Sequence, residues 1–430
     1  MKTTGVVICN YNKSNDVVNC IQSVIESKTN DYDIYVVDNA STDDSVSRIK
    51  ENFGDKVNLI VNSENLGGSG GFNAGIRKVV SEGYKYVWCL DNDVLVDENA
   101  LLYLVEFLDE HNDTGMVGSK VYHMEAPDYV QQFGITIDFD EFCVEAKYLN
   151  RQEDGTMPEV VYSDAVAACS VLVRTSLIKE IGAMPEENFL YWDDTEWGYR
   201  CNMAGYKVAS YGKSKVLHAM GAKKEAVNTF PTYYAWRNWI QFFIKYTPEE
   251  KLNELSHTFI HSVFDEIYQG YYRKEYNKAK TVMFAYDDAL HGVKGKAHEG
   301  KIFEIDNNDE KFKNLIKGKK KICIETGNHM GLAERLKEKI KNYEPCAEVL
   351  FDSEPENKDG ILTIKLCNYI FSLRVIENEY VYIDEEENIL EDESDVIKVK
   401  NYNNSFQTFL YVHQPVFLLL AENMRNEGMV

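Results

Sequence analysis

Along the first 220 residues, short apolar runs alternate with stretches whose apolar positions recur every three or four residues. The runs "TGVVICNY", "DIYVVDNA", "VNLIVNS" and "YVWCLDND" are rich in β-formers and bounded by Asn, Asp, Ser or Gly, which predicts strands. Between the first two, Val17, Val18, Ile21, Val24 and Ile25 keep helical spacing and predict a helix over 16–28. Alternation of this kind predicts an α/β fold, a mostly parallel sheet with helices on both faces. Ligands of such sheets gather beyond the carboxyl ends of the strands. "CNYN", "DNAS" and "DNDV" put polar residues at those ends.

The pattern changes near residue 228. "PTYYAWRNWIQFFIKY" (231–246) and the chain through about 290 read as aromatic-rich amphipathic helices. Their Trp236, Trp239, Phe242 and Phe243 read as helix core in preference to a cover over a ligand or a membrane surface. Residues 292–321 are polar and Gly/Lys-rich, a connector. From about 318 a second α/β pattern begins, with strands "KICIE", "AEVLF", "GILTIKL" and "YVYID" and a helix "GLAERLKEKIKN". It lacks a Gly-rich phosphate fingerprint. Three units are expected, at 1–227, 228–300 and 318–430. The run "DEEENILEDESD" (384–395) reads as a solvated acidic loop.

Composition narrows the partners. A formal net charge of −24 over 430 residues argues against nucleic acid, which needs a basic footprint, and against electrostatic attachment to anionic lipid. Nine cysteines lie scattered singly, without C-x-x-C, as suits reduced thiols in the cytosol. No signal-peptide layout opens the chain, and "VFLLLA" (416–421) is far short of a membrane span. A cytoplasmic protein is expected, with the inner face of the membrane and oligomerisation left open. An acidic protein that binds a phosphorylated ligand needs a cation or local N–H donors.

Three motifs carry candidate chemistry. In "CLDNDV", Asp91 and Asp93 are two apart at a strand end and share a side. That is an oxygen site for a hard divalent cation, or else an Asp/Asn turn. "NSENLGGSGGFNAGIRK" (62–78) holds five glycines, read as a flexible approach followed by a helix start near Phe72 to Ala74 whose N–H groups could meet phosphate or sugar oxygens. "FLYWDDTEWGYR" (189–200) sets Asp193 and Asp194 ahead of a helical pattern. The pair suits a helix cap and the helix dipole. Tyr191 and Trp192 before it offer a stacking wall for a sugar ring, and a carboxylate there can serve as a general base. His218 in "KVLHAMG" is a lone histidine, either structural or a metal ligand.

Strand-end Asn and Asp, glycine loop, D-x-D, acid pair and late histidine, in this order, resemble the inverting family 2 glycosyltransferases of the GT-A fold, over roughly residues 3–290. "NLGGSGGFNAG", "WDDTEWGYR", "VLHAMG" and "YYAWRN" look most like its bacterial rhamnosyl- and galactofuranosyltransferase branch. The resemblance implies that Asn10 and Asp38 hold the base and ribose, and that Asn65 and Asn73 contact diphosphate and sugar. It implies that Asp91 binds ribose and, with Asp93 and His218, a divalent metal, Mn²⁺ or Mg²⁺. It puts the catalytic base at Asp194, with Trp192, Asp193 and Glu196 shaping the acceptor pocket and Arg200 supporting the helix. The family's Glu is Asp193 here and its Leu is Trp197, changes that bear on acceptor contacts. The implied partners are a dTDP- or UDP-linked sugar and a cell-surface glycan, free or lipid-linked. Two rivals remain: a catalytically degenerate binding or scaffold module, and a sugar-nucleotide pyrophosphorylase. The latter carries an early glycine-rich loop, whereas "CNYNKSND" has no glycine.

Overall fold

A computed structural model describes residues 2–219, 227–353, 360–426 and 428. Strands β1 (Thr4–Asn10), β2 (Tyr32–Asp38), β3 (Val57–Val61) and β4 (Tyr86–Asp91) form the parallel part of a ten-stranded sheet. β1 lies between β2 and β4, which places the topological switch point at its carboxyl end. The sheet continues through β5 (Val94–Val96), β6 (Thr114–His123), β7 (Ala126–Gln132), β10 (Val160–Ser163), β11 (Ser170–Arg174) and β12 (Lys207–His218). A separate hairpin joins β8 (Ile135–Asp138) to β9 (Cys143–Ala146).

Alternation along the strands decides which helix covers which face. Val6 and Ile8 pack with Trp88 and Leu90 against α1 (Ser14–Ile25) and α4 (Ala100–Glu110). Val7, Val37 and Cys89 turn the other way, onto α3 (Gly67–Glu82). Each fully buried Val, Ile or Leu contributes about 1.5–3 kcal/mol relative to exposure. Helix α2 (Ser45–Phe53) covers the edge beside α1, and α5 (Thr175–Ile181) precedes α6 (Asp193–Met203).

Helices α7 (Phe230–Tyr246), α8 (Leu252–Arg273) and α9 (Tyr276–Leu290) form an aromatic bundle. Phe242 and Phe243 are buried, and Trp236 and Trp239 are partly buried against the same core. After α10 (Glu310–Ile316) comes a five-stranded sheet. It comprises β13 (Lys321–Glu325), β14 (Glu348–Phe351), β15 (Leu362–Cys367), β16 (Val381–Asp384) and β17 (Ile389–Leu390), with α11 (Met330–Tyr343) packed on it. The last helix, α12 (Glu393–Asn426), returns to the bundle. Its Tyr402, Phe406 and Phe417 join Phe259 and Phe264 of α8. Among the described residues no helix is long and apolar enough to cross a membrane.

Three regions differ in detail from the sequence pattern, the acidic run as a correction. The connector is anchored: Gly295 N–H donates to the Glu187 carbonyl (2.7 Å) and Ala297 N–H to the Tyr234 hydroxyl (2.8 Å). The acidic run is not a solvated loop throughout, since Asp384, Asn388, Ile389, Leu390 and Asp395 are buried. Its side chains satisfy turn and helix-start N–H groups, as Asp384 does for Ile370 (3.0 Å) and Asn388 (2.9 Å). The chain from 318 onward also does not stay apart, because α12 completes the core begun by α7 and α8.

Candidate active site

The site opens where β1, β4 and β12 end. Asp91 closes β4, and Asp93 leads into β5. β5 pairs antiparallel with the end of β12, in register Val94 to His218, and Ala219 N–H donates to the Asp93 carbonyl (3.2 Å). This pairing brings His218 Nε2 to 3.1 Å from Asp93 Oδ1 and 3.7 Å from Asp91 Oδ2. One ligand atom from each of Asp91, Asp93 and His218 lies within 4.8 Å of the others. Gln131 of β7 supports the ring, its Oε1 lying 2.7 Å from His218 Nδ1. An amide oxygen there accepts the Nδ1 proton, so in the neutral imidazole the Nε2 lone pair faces two carboxylates, and in the protonated ring an N–H does. That donor set, two hard oxygens and an oriented imidazole, fits a divalent cation.

Asp193 and Asp194 approach from the first turn of α6. Neither is the N-cap residue, which is Trp192 and makes no side-chain cap hydrogen bond; both acids stand in the first helical turn. Asp194 accepts from the N–H groups of Ala168 (3.2 Å) and Thr195 (2.7 Å). The next residue, Cys169, accepts from Asp91 N–H (3.4 Å), so one loop ties both acids together. Burial pushes Asp91 up to about 6, with His218 opposing and Asp93 and Asp194 adding. Burial and then Asp194 push Asp193 up to about 7, and burial raises Asp194 as well. Asp91 and Asp193 both act on the Cys9 thiol, so the two acids lie near the same end of β1.

Other expected contacts are engaged elsewhere. Asn10 and Asp38 are both fully buried. Asn10 Nδ2 donates to Asp38 Oδ2 (3.0 Å), Asn10 Oδ1 accepts from Asn92 Nδ2 (2.8 Å), and Asp38 Oδ1 accepts from Ser41 N–H (2.9 Å). They knit three strand ends together rather than open onto the cleft. Asn65 accepts from Gly67 N–H (2.8 Å) and Asn39 Nδ2 (3.1 Å). Asn73 turns its amide to Met184 (2.8 and 3.1 Å) and Glu186 (2.9 Å), pinning α3 to the loop before α6. Glu196 is buried beneath α6, bound by Lys245 Nζ and the Tyr246 hydroxyl, each at 2.9 Å. It therefore anchors α6 to α7 and does not line an acceptor pocket. Trp192 packs on Phe242 and Phe243, with ring centroids 5.2 and 5.8 Å apart. Arg200 supports its helix by donating to the Ile181 carbonyl.

The glycine loop also differs. Helix α3 begins at Gly67, five residues before Phe72. A Cβ on Gly71 would lie 2.4 Å from Cys9 Sγ, and one on Gly75 2.4 Å from Val7 Cγ1. These glycines let the helix approach β1. Sequence reasoning passed over Asn39, whose amide joins Gly67 (2.8 Å) and Leu66 (3.1 Å) to the end of β2. It passed over Gln131, 87 residues from its partner.

The model of the glycosyl transferase family 2 domain matches residues 5–170. That match takes in β1 to β4, the glycine-rich helix α3 and both D-x-D aspartates. The chain is similar to galactofuranosyltransferase GlfT2 of Mycolicibacterium smegmatis, 23% identical over 264 residues, 54% of this chain and 40% of that one. Poly-beta-1,6-N-acetyl-D-glucosamine synthase of Staphylococcus aureus is 30% identical over 106 residues, 24% of each chain. The chain thus spans well under half the length of the relatives it matches. Among solved structures, GalNAc-T7 with UDP, GalNAc and Mn²⁺ superposes with a TM-score of 0.48 at 16% identity, over 60% of this chain and 50% of that one.

Proposed function

We propose that this chain transfers a sugar from a nucleoside diphosphate donor to a hydroxyl of a glycan acceptor, with inversion at the anomeric carbon. What supports the reading is the convergence of Asp91, Asp93 and His218, one ligand atom of each lying within 4.8 Å of the others, with Asp194 near enough to act on Asp91 and Asp91 on Asp193. A divalent cation, Mn²⁺ or Mg²⁺, would offset charge on the leaving diphosphate. Asp91, Asp93 and His218 would hold it, with Gln131 orienting the imidazole. Asp194, held by Ala168 and Thr195, accepts the proton of the attacking hydroxyl. A carboxylate is a weak base toward a free alcohol, so this transfer comes late, after the bond from the hydroxyl oxygen to the anomeric carbon has begun to form and the bond to the diphosphate to break. Asp193 beside it keeps a raised proton affinity and lines the same wall.

Likeness to a galactofuranosyltransferase supports a galactofuranose donor; rhamnose as the alternative sugar, a UDP or dTDP carrier and a cell-surface glycan acceptor are proposed from the sequence motifs. The test is a panel of nucleotide sugars scored for nucleotide release with Mn²⁺, with Mg²⁺ and with chelator. Metal-dependent release from one donor is expected, enhanced by a glycan acceptor. Binding without release across the panel would favour a degenerate module instead.

A further inference from the structure

The motif "YYAWRN" is used by neither the cation-type group nor the acid pair. Its last residues, Arg237 and Asn238 of α7, are 0% and 1% exposed. A buried guanidinium is costly unless its donors are satisfied. Arg237 meets that need with main-chain oxygens: Nη1 donates to Gly295 (2.6 Å) and Nη2 to Asn188 (2.9 Å) and Glu187 (3.3 Å). Its Nε–H donates to Asn238 Oδ1 (2.9 Å). With that oxygen taken, the amide nitrogen must face the other way. There it donates to the carbonyls of Asn188 (2.8 Å), Leu190 (2.8 Å) and Tyr191 (3.1 Å).

The turn held in this way is strained. Phe189, Tyr191 and Trp192 have φ of +63°, +63° and +66°. Bulky L residues rarely enter this left-handed region, and strain of this kind persists only where the surroundings over-determine it. Here they do. Phe189 stacks on Tyr234 at 5.0 Å, and a Cβ on Gly67 would lie 2.0 Å from the Phe189 carbonyl oxygen. Among the described residues the Tyr191 hydroxyl is enclosed without a hydrogen-bond partner, so none of them anchors the turn through it. Asp193 follows at once. The dihedrals of Trp192 therefore set the direction in which α6 starts and where its two acids point.

We infer that Arg237 and Asn238 are positioning residues: they hold the 189–192 turn left-handed and thereby aim Asp193 and Asp194 into the cleft. The catalytic part of this inference rests on the proposed transferase reading. Asn238→Asp keeps the side chain's size and removes its amide donors. A crystal structure of that variant should show Tyr191 or Trp192 leaving positive φ. Calorimetry with the nucleoside diphosphate and Mn²⁺ should give an affinity within about threefold of wild type, while kcat falls about 100-fold, as an ångström-scale misplacement predicts. Adding Trp192→Gly, which makes positive φ easy, should recover part of the lost kcat. Should Asn238→Asp fail to fold, Arg237→Lys carries the same measurements. A folded variant with kcat within threefold of wild type overturns the inference, as does an unchanged turn whether or not any activity exists. If the wild-type protein releases nucleotide from no sugar donor, the transferase reading fails separately, and the conformation of the turn alone decides the clamp.

Discussion

At the carboxyl ends of β1 and β4, burial raises Asp91, Asp193 and Asp194, and like charge adds at Asp91 and Asp193, with His218 opposing at Asp91. At the ends of β13 and β16, the acids are matched by donors. Asp352 accepts from the Thr326 hydroxyl (2.7 Å) and N–H (2.8 Å), which lower it. Glu385 is lowered by the His329 ring, 2.6 Å away, and by Arg335. Lys339 joins Asp309 (2.8 Å) to Glu387 (2.7 Å). Both sheets contain parallel strands that end in acids, so polar strand ends alone do not mark a site. In the second sheet the fold supplies cationic partners to Glu385, Asp309 and Glu387. In the first, the proposed divalent cation would join His218 in that role.

The sharpest way to break this comparison is Asp194→Asn. Turnover should fall about 1,000-fold or more, at the upper range for a general base, while calorimetric affinity for the nucleoside diphosphate stays within a few fold. Near-normal turnover would remove Asp194 from the chemistry. Next come His218→Ala and Gln131→Leu. Loss of the outer partner alone should weaken Mn²⁺ binding about 10–100-fold, and loss of the ring more; equal Mn²⁺ titrations for Gln131→Leu and wild type would refute the orienting role.

A pH effect of middle size follows. Asp193 and Asp91 hold protons up to about 7 and about 6 when folded, against about 3.9 when unfolded. Between about pH 4 and 7 the native state therefore binds more protons, and stability falls as pH rises through that window. Asp91 keeps 38% of its side chain accessible, so solvent moderates its share. Melting temperatures in chelator should drop less steeply from pH 4.5 to 8 for Asp193→Asn than for wild type, and Mn²⁺ should restore more at pH 8 than at pH 5. Parallel slopes for the two proteins would contradict the assignment. The smallest effect belongs to the second sheet. Lys339→Ala should cost at most about 1 kcal/mol and leave turnover unchanged, and a large kinetic defect there would erase the contrast between the sheets.

Much of this was legible in the chain. β1 and β4 fall within two residues of the apolar runs that predict them, because a strand buried on both faces reads as a continuous hydrophobic segment. The D-x-D and the histidine were visible as residue types, and their convergence follows from the β5–β12 register. Glu196, Asn73 and Gln131 were not legible, because their partners lie 49 to 113 residues away. The sequence marks a polar side chain without saying whether its partner is a ligand or the protein's own backbone. The glycines of α3 misled for a related reason: tight helix–strand contact and a phosphate approach demand the same missing Cβ.

The return of α12 has a practical corollary. A fragment trimmed at residue 300 to isolate the catalytic unit would uncover Phe259 and Phe264, now shielded by Phe417 and Phe406. It would also present solvent with an oily trough on α8, the helix whose Phe259 packs on Trp239 and Phe243 of the helix that grips the 189–192 bend. Expression of such a truncation should give aggregates, so activity measurements on this polypeptide should retain α12.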